Sequence, residues 1–432
     1  MVDSNVEASI GMTRKWDARD AGRELAEDVN SKLDSDPRFV VLFSTIHYEK
    51  HGGFQEFLNG IYEVFKPDVQ LIGATVPGFI NNHGVYTRGA TALGVSYENM
   101  DVFTSFGSHT KRNPQKAAQE NCSKIRKQST EARYNNKFLL NLVSGPIMPK
   151  IPGVGQKKII KSDTLGKIAP KALGISQYFL EKGFGREDEI FEEMVKELPE
   201  YNMIIGTSVD DNRGLSNYLF YNNTIMPNSV ISLGIYSDLN YGVLTTHGMK
   251  KTGKTFNITE LSKDKHLIQE INGKPALPEL NNILGWPEDF LSEKTMTNTI
   301  LYYPISLRRK NREVPVVMPF ILNDSIMCPC VIDHGESSIL TLSGKDIIEA
   351  ITKNLQTFNN IKPEFGFCSA CVTILQTLGN NNYHIKEKLD EYFINKPYVL
   401  FFSAGEGTYT RSKDLIYANM SFNTAIFGKN FL

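Results

Sequence analysis

Apolar and polar positions along this chain follow one pattern that occurs three times. A continuous apolar run leads into a stretch with helical spacing. A second apolar run follows and gives way to a loop of glycine, small hydroxyls and acids. The three second runs, with their loops, are Leu71-Ile72-Gly73-Ala74-Thr75-Val76-Pro77-Gly78, Met203-Ile204-Ile205-Gly206-Thr207-Ser208, and Phe401-Phe402-Ser403-Ala404-Gly405-Glu406-Gly407-Thr408. Self-similarity on this scale is the sequence sign of a repeated supersecondary unit.

The flanking elements follow the same order. In the first copy a strand at Phe39 to Ile46 precedes a helix at Phe54 to Phe65, with Phe54, Phe57, Leu58, Ile61 and Phe65 at helical spacing. The middle copy has a strand at Phe138 to Val143 and a helix near Glu187 to Leu198. The last has a strand at Glu364 to Ala370 and a helix ending at Phe393. Each copy closes on an alternating stretch read as one strand: Val85 to Val95, Tyr218 to Ile235, and Leu415 to Phe427. Asp17 to Leu33 reads as an amphipathic helix, and Met1 to Arg14 as a frayed tail. Gly145 to Gly174, rich in Gly, Pro and Lys, reads as a surface excursion. Its Gly153-Val154-Gly155 lacks the strand-to-helix setting of a phosphate loop. Arg308 to Arg312 reads as an exposed basic turn between strands. The expected fold is mixed α+β: pseudo-symmetric strand–helix–strand repeats whose mixed sheets are flanked by helices. Open sheets of this kind gather polar loops, and ligands, at strand ends. The expected division is a flexible tail at 1–16 and two domains, at 17–240 and 241–432, since 432 residues exceed one ordinary core.

Charge removes some classes. Lys plus Arg number 47 against 48 Asp plus Glu, without the excess of a dedicated nucleic-acid binder. No apolar run approaches the roughly 20 residues of a membrane span, and Met1 to Ile10 lacks a signal core. A cytoplasmic protein with no nucleic-acid or membrane partner is expected. The five cysteines are too few and too odd for a disulfide framework. Cys328-Pro329-Cys330 and Cys368-Ser369-Ala370-Cys371 give two close pairs. The second lies on a strand end rather than in a zinc knuckle, so no metal and no cofactor are expected.

The candidate ligand-binding residues lie at the strand ends: Thr75, Ser208, Asp210, Asp211, Asn212, Arg213, Cys371, Glu406 and Thr408. Arg213 and loop N–H groups suit a carboxylate, and Asp210, Asp211 or Glu406 suit an ammonium. Thr75, Ser208 and Thr408 would orient the bound molecule. The competing reading of Asp210-Asp211-Asn212 is an ordinary turn.

The order of these motifs resembles the FIST family. Ile72-Gly73-Ala74-Thr75 with Ala92-Leu93-Gly94-Val95, and Ile204-Ile205-Gly206-Thr207-Ser208 with Asp210-Asp211-Asn212, are similar to its N-terminal half. Thr246-His247-Gly248, Ile271-Asn272-Gly273-Lys274-Pro275-Ala276-Leu277 and Ser403-Ala404-Gly405-Glu406-Gly407 are similar to its C-terminal half. Val76-Pro77-Gly78-Phe79 stands where the pattern has Thr-x-Gly-Glu, and a lysine-rich segment fills Lys150 to Lys171. The resemblance implies a sensory, signal-transduction module that binds a small ligand, with amino acids the usual suggestion. It also implies a stand-alone member that signals through a separate partner protein. A different class of function is an enzyme with Cys371 as nucleophile and His247 as base, oriented by Glu406. A third is a protein-interaction scaffold.

Overall fold

The computed structural model describes residues 5–149, 157–211, 213–287, 290, 292, 295, 303–309, 312–318, 320–412 and 414–430. The repeat is real, and it has three copies built to one plan.

Unit 1 holds β1 (Glu7–Thr13), α1 (Ala18–Asn30), β2 (Phe39–Ser44), α2 (Phe54–Ile61), β3 (Gln70–Thr75), a hairpin of β4 (Phe79–Asn81) and β5 (Gly84–Tyr86), and β6 (Ala90–Ser96). Unit 2 holds β7 (Met100–Ser108), α3 (Pro114–Ser129) and β8 (Asn136–Ser144). An insertion with β9 (Ile159–Ile160) and α4 (Asp163–Phe179) follows. The unit resumes with α5 (Glu187–Glu197), β10 (Asn202–Ser208), a hairpin of β11 (Leu219–Tyr221) and β12 (Thr224–Met226), and β13 (Ser229–Ser237). Unit 3 opens with β14 (Asn240–His247). A second insertion comes next: β15 (Lys250–Leu261), β16 (Leu267–Ile271), β17 (Lys274–Pro275), α6 (Ala276–Leu284), β18 (Ile305–Arg309), β19 (Arg312–Val316), β20 (Phe320–Leu322), β21 (Ser325–Met327) and β22 (Gly335–Thr341). Unit 3 resumes with α7 (Gly344–Gln356), β23 (Ile361–Cys371), α8 (Val372–Leu378), α9 (Tyr383–Phe393), β24 (Tyr398–Ser403), a hairpin of β25 (Glu406–Thr410) and β26 (Asp414–Ala418), and β27 (Ser421–Asn430).

Each unit forms a six-stranded sheet, and none is built from its own strands alone. The orders are β1-β6-β2-β3-β11-β12, β7-β13-β8-β10-β25-β26 and β14-β27-β23-β24-β4-β5. The last two places in every sheet belong to the hairpin of another unit, passed round in a closed cycle. The parallel pairs end in register on small polar residues: Ser44 beside Thr75, Ser144 beside Ser208, Cys371 beside Ser403.

The strands at the middle of each sheet are buried on both faces, which is why they read as continuous apolar runs. One face of all three sheets meets at a common aromatic core, where Phe43 stacks on Phe401 at 4.2 Å and Phe138 lies over Phe367. The opposite faces carry the helices: α1 and α2 on sheet 1, α3 and α5 on sheet 2, α7 to α9 on sheet 3. Local chemistry starts the helices. Asp17 accepts from the Asp20 N–H, Asn113 from that of Lys116 with Pro114 first in α3, and Ser343 from that of Asp346.

The structure corrects several expectations. The supposed tail contains β1, an edge strand paired antiparallel to β6 from Glu7 to Thr13. Its polar alternation suits an edge but lacks the apolar density that marks a buried strand. The excursion at 145–174 carries β9 and most of α4, and β9 pairs with β20. Each closing stretch read as one strand is in fact broken: one hairpin arm and a return strand in units 1 and 3, both hairpin arms and a return strand in unit 2. Asn222 and Asn228 in unit 2, and Met420 in unit 3, take left-handed φ of 49°, 43° and 56° at these turns. The division at 240–241 falls where unit 3 begins, and the part before it contains two units. The tip of the basic turn, Lys310-Asn311, lies outside the described residues. The second insertion builds a further sheet of nine strands that also takes in β9 of the first.

Candidate functional site

Backbone bonds tie the strand ends together in a ring. The Val209 N–H donates to the Thr75 carbonyl at 2.9 Å, and the Phe402 N–H donates to that of Gly78 at 3.1 Å. Ser403 Oγ accepts from the Thr207 N–H at 2.7 Å and donates to the Gly405 carbonyl at 2.8 Å, while Thr207 Oγ1 donates to the same carbonyl at 2.8 Å. The three glycine-bearing loops therefore meet.

They do not share one cleft. A cavity of about 190 Å³ opens on the side of units 2 and 3 alone. Its floor comes from the start of α5, the end of β23 with the start of α8, and Ala404. Its roof comes from the two insertions, through Met148, Phe184, Val317, Met318 and Phe320. Mostly apolar walls with a few polar groups are the usual form of a small-molecule site.

Those polar groups are unusual. Glu187 is the first residue of α5 and lines the cavity. Its Oε1 accepts from the Tyr417 hydroxyl at 2.8 Å, and its Oε2 is buried without a partner. Glycines on both sides make the space. A Cβ on Gly185 would stand 2.0 Å from Oε2, and one on Gly405 would stand 2.5 Å from Oε1. Burial pushes the Glu187 carboxyl up to about 7; the neighbouring Asp188 adds to this and buried Lys111 opposes it. Lys111 Nζ donates to Asn228 Oδ1 at 2.8 Å, and burial lowers its own pKa to about 8. Thr373 also lines the cavity, and its buried hydroxyl lies beside the Cys371 thiol without meeting hydrogen-bond geometry. Behind the wall, Glu406 Oε1 accepts from the N–H and hydroxyl of Ser421, and its Oε2 has no partner. Burial pushes that carboxyl well above the usual range. The cations are Arg213 and Lys158, both in the lining. A buried polar atom with no partner costs about 1–3 kcal/mol. Glu187 and Thr373 place two such atoms at one cavity.

Of the sequence candidates, Arg213 and Cys371 line this cavity, and Glu406 sits directly behind Cys371. The others have different work. Asp210 is buried, and its carboxylate oxygens accept from the N–H groups of Arg213, Gly214, Leu215 and Ser216. It organises the loop and is not open to a ligand's ammonium. Asp211 is exposed and pairs with Arg213 at 3.1 Å. Thr75 Oγ1 accepts from the Tyr218 N–H, Ser208 Oγ donates to Asn217, and Thr408 bonds Thr245. These three hydroxyls are buried in the body, away from the cavity lining. Asn212 lies outside the described residues.

The pairing of Cys371 with His247 is not formed. Burial, with the Glu406 carboxyl adding, pushes the Cys371 thiol up, so it stays neutral. The thiol lies beside Glu406 without meeting hydrogen-bond geometry. His247 is exposed at the end of β14, and among the described residues no hydrogen bond joins it to Cys371 or Glu406. All five cysteines are buried, and none is in a disulfide. Among the described residues, no helix is long and apolar enough to cross a membrane.

Reading the sequence missed Glu187, Thr373, Tyr417 and Lys158. Glu187 sits among four charged residues at a helix start, Arg186 to Glu189, and looks like helix-dipole chemistry. The signal available was Gly183-Phe184-Gly185 just before it, a run too bare of side chains to be only a linker. Lys158 and the roof come from insertions with no counterpart in the repeat.

Comparison with known proteins gives one family. The FIST N domain model matches residues 38–274, more than half of the chain. Among curated proteins none matches. Among solved structures, a chain described as cyanuic acid hydrolase from A. caulinodans is similar at 7% identity, over 54% of this chain and 71% of that one, with a TM-score of 0.27. That likeness is too remote to bear on activity.

Proposed function

The chain belongs to the FIST family of sensory, signal-transduction domains, and we propose that it is a non-catalytic sensor for a small amine-bearing metabolite, an amino acid or a relative of one. The observation that supports this is the buried, unpartnered Oε2 of Glu187, a residue that lines a mostly apolar cavity together with Arg213 and Lys158. An ammonium beside Glu187 would give the carboxyl its missing partner and stabilise its charged form. A carboxylate at the Arg213 and Lys158 side would complete the match. The apolar roof selects the body of the ligand. Burial keeps the Cys371 thiol neutral, which supports a reading in which the ligand leaves unchanged. Its binding would be passed to a separate signalling protein.

The test starts with melting of the full chain against amino acids, amines and small carboxylates, since stabilisation follows RT ln(1 + [L]/Kd). A hit is then titrated calorimetrically against wild type, Glu187→Gln and Glu406→Gln. A buried carboxylate–ammonium contact stripped of one partner costs about 2–5 kcal/mol, so Glu187→Gln should weaken binding roughly 30-fold or more. Glu406→Gln should act less, because Glu406 stands behind the wall. A broad library with no stabiliser, or a hit that binds Glu187→Gln as tightly as wild type, overturns the proposal.

A further inference from the structure

The first insertion presents an apolar surface that none of the described residues covers. Helix α4 buries Ala169 and Leu173 against Leu322 and Met327 of the inserted sheet. A helix of this kind turns polar residues outward. This one turns outward Ile168 at 53% exposure, Ile175 at 62% and Phe179 at 69%, with half-buried Ala172 between them. The spacing i, i+4, i+7, i+11 lays these four in one narrow stripe. Tyr178 at 56% and Leu180 at 66% are exposed beside its C-terminal end, and the stripe itself is the seam one helix offers to another.

Charge beside the seam selects the partner. Residues 157–182 hold six lysines and two acids, in a chain whose net charge is -1. Lys171 is exposed within α4, and Lys157 and Lys161 just before the helix and Lys182 just after it are exposed too. Of the two acids, Glu181 is held by His109 and Arg112. A second copy docking seam to seam would bring lysine flanks against lysine flanks, which is unfavourable. We infer that the outer face of α4 docks an amphipathic helix of a partner protein, with an aliphatic or aromatic seam and acidic flanks. The same helix has its inner face on the ligand side. Ala169 and Leu173 wall a second cavity of about 80 Å³, whose lining shares Met148, Lys158, Arg213 and Phe320 with the first. A shift of α4 in response to a bound ligand would therefore move the docking seam.

The docking step is testable without any ligand. The probe is a displayed library of helical peptides with a fixed apolar seam and randomised flanks, selected on the full chain. Acidic flanks should be enriched. A triple variant, Ile168→Ser with Ile175→Ser and Phe179→Ser, should lose the selected peptides by about tenfold or more while melting as wild type does, since these side chains are exposed. A charge-reversed variant, Lys161→Glu with Lys171→Glu and Lys182→Glu, should keep the seam and enrich basic flanks instead. No enrichment, flanks without charge preference, or enrichment that survives the triple variant overturns the inference. Two controls assign the seam elsewhere if positive. Self-association lost in the triple variant gives it to a second copy. Co-sedimentation with phosphatidylserine vesicles lost in the triple variant gives it to a bilayer.

Discussion

Unit 1 and the junction of units 2 and 3 use the same plan and end differently. At the strand ends of unit 1 the polar groups are closed on one another. Thr45 Oγ1 bonds both the N–H and the carbonyl of Gly89, Asn81 bonds Thr91, and Thr75 bonds Tyr218 through backbone and side chain. Among the described residues, none of the buried side-chain atoms left without a partner belongs to unit 1. Glu187, Thr373 and Glu406 are all at the other junction. In unit 1 the buried side-chain hydrogen bonds of the repeat are complete among the described residues. The insertions, one in unit 2 and one in unit 3, roof the junction where Glu187 and Glu406 each keep a carboxylate oxygen without a partner. The proposed binding site sits where the symmetry is broken, as expected if local rules fail first at functional sites.

Three experiments break or sharpen this contrast. The largest effect should come from the shared frame. Phe401 packs on Phe43 from another unit and stands over Gly206, so Phe401→Ala should lower stability by about 3–5 kcal/mol in denaturant titration. A loss under 1 kcal/mol would mean that the three sheets do not share one core.

Next comes the open junction. The folded protein keeps a proton on Glu187 that the unfolded chain releases near 4.5, so the folded state binds more protons and stability falls as pH rises. With the folded value at about 7, the advantage should be present below about 4.5 and lost by about 8. It amounts to on the order of 3 kcal/mol relative to Glu187→Gln. A difference between the two proteins that stays flat over this range would place Glu187 in a watery site, as closed and ordinary as unit 1.

The smallest effect tests the loop between them. Asp210→Ala removes the acceptor of four N–H groups and should cost about 1–3 kcal/mol of stability, with ligand affinity changed less than by Glu187→Gln. A large loss of affinity without loss of stability would return Asp210 to the ligand site.

The frame was legible in the sequence because it is made of local signals. Phe39 to Ser44 and Tyr398 to Ser403 are unbroken apolar runs, and strands buried on both faces look like that from one sequence. The hairpin exchange was not legible, since β4 carries no mark of the distant strand it joins. The site was half legible. Arg213, Cys371 and Glu406 stand in or beside the glycine loops and were found. Asp210 was assigned to a ligand because a carboxylate that caps its own loop and one that binds an ammonium look alike in sequence. Glu187 was passed over because its burial depends on residues more than 200 positions away, at Tyr417 and Gly405.

The circulating hairpins bear on how this protein is made. β4 emerges with the first unit, yet its partner in the third sheet is β24, from Val399 opposite Asn81 to Phe401 opposite Phe79. Chain growth at roughly 5–20 residues per second separates those two strands by on the order of 15–60 s. Through that interval the hairpin of unit 1 has no sheet to join, and β10 awaits its neighbour β25 with its edge open. Unpaired edges are templates for pairing with other chains. The growing chain therefore carries unpaired edges until β24 and β25 have left the ribosome. For the same reason, a fragment ending near residue 240 would be an aggregation hazard rather than a domain.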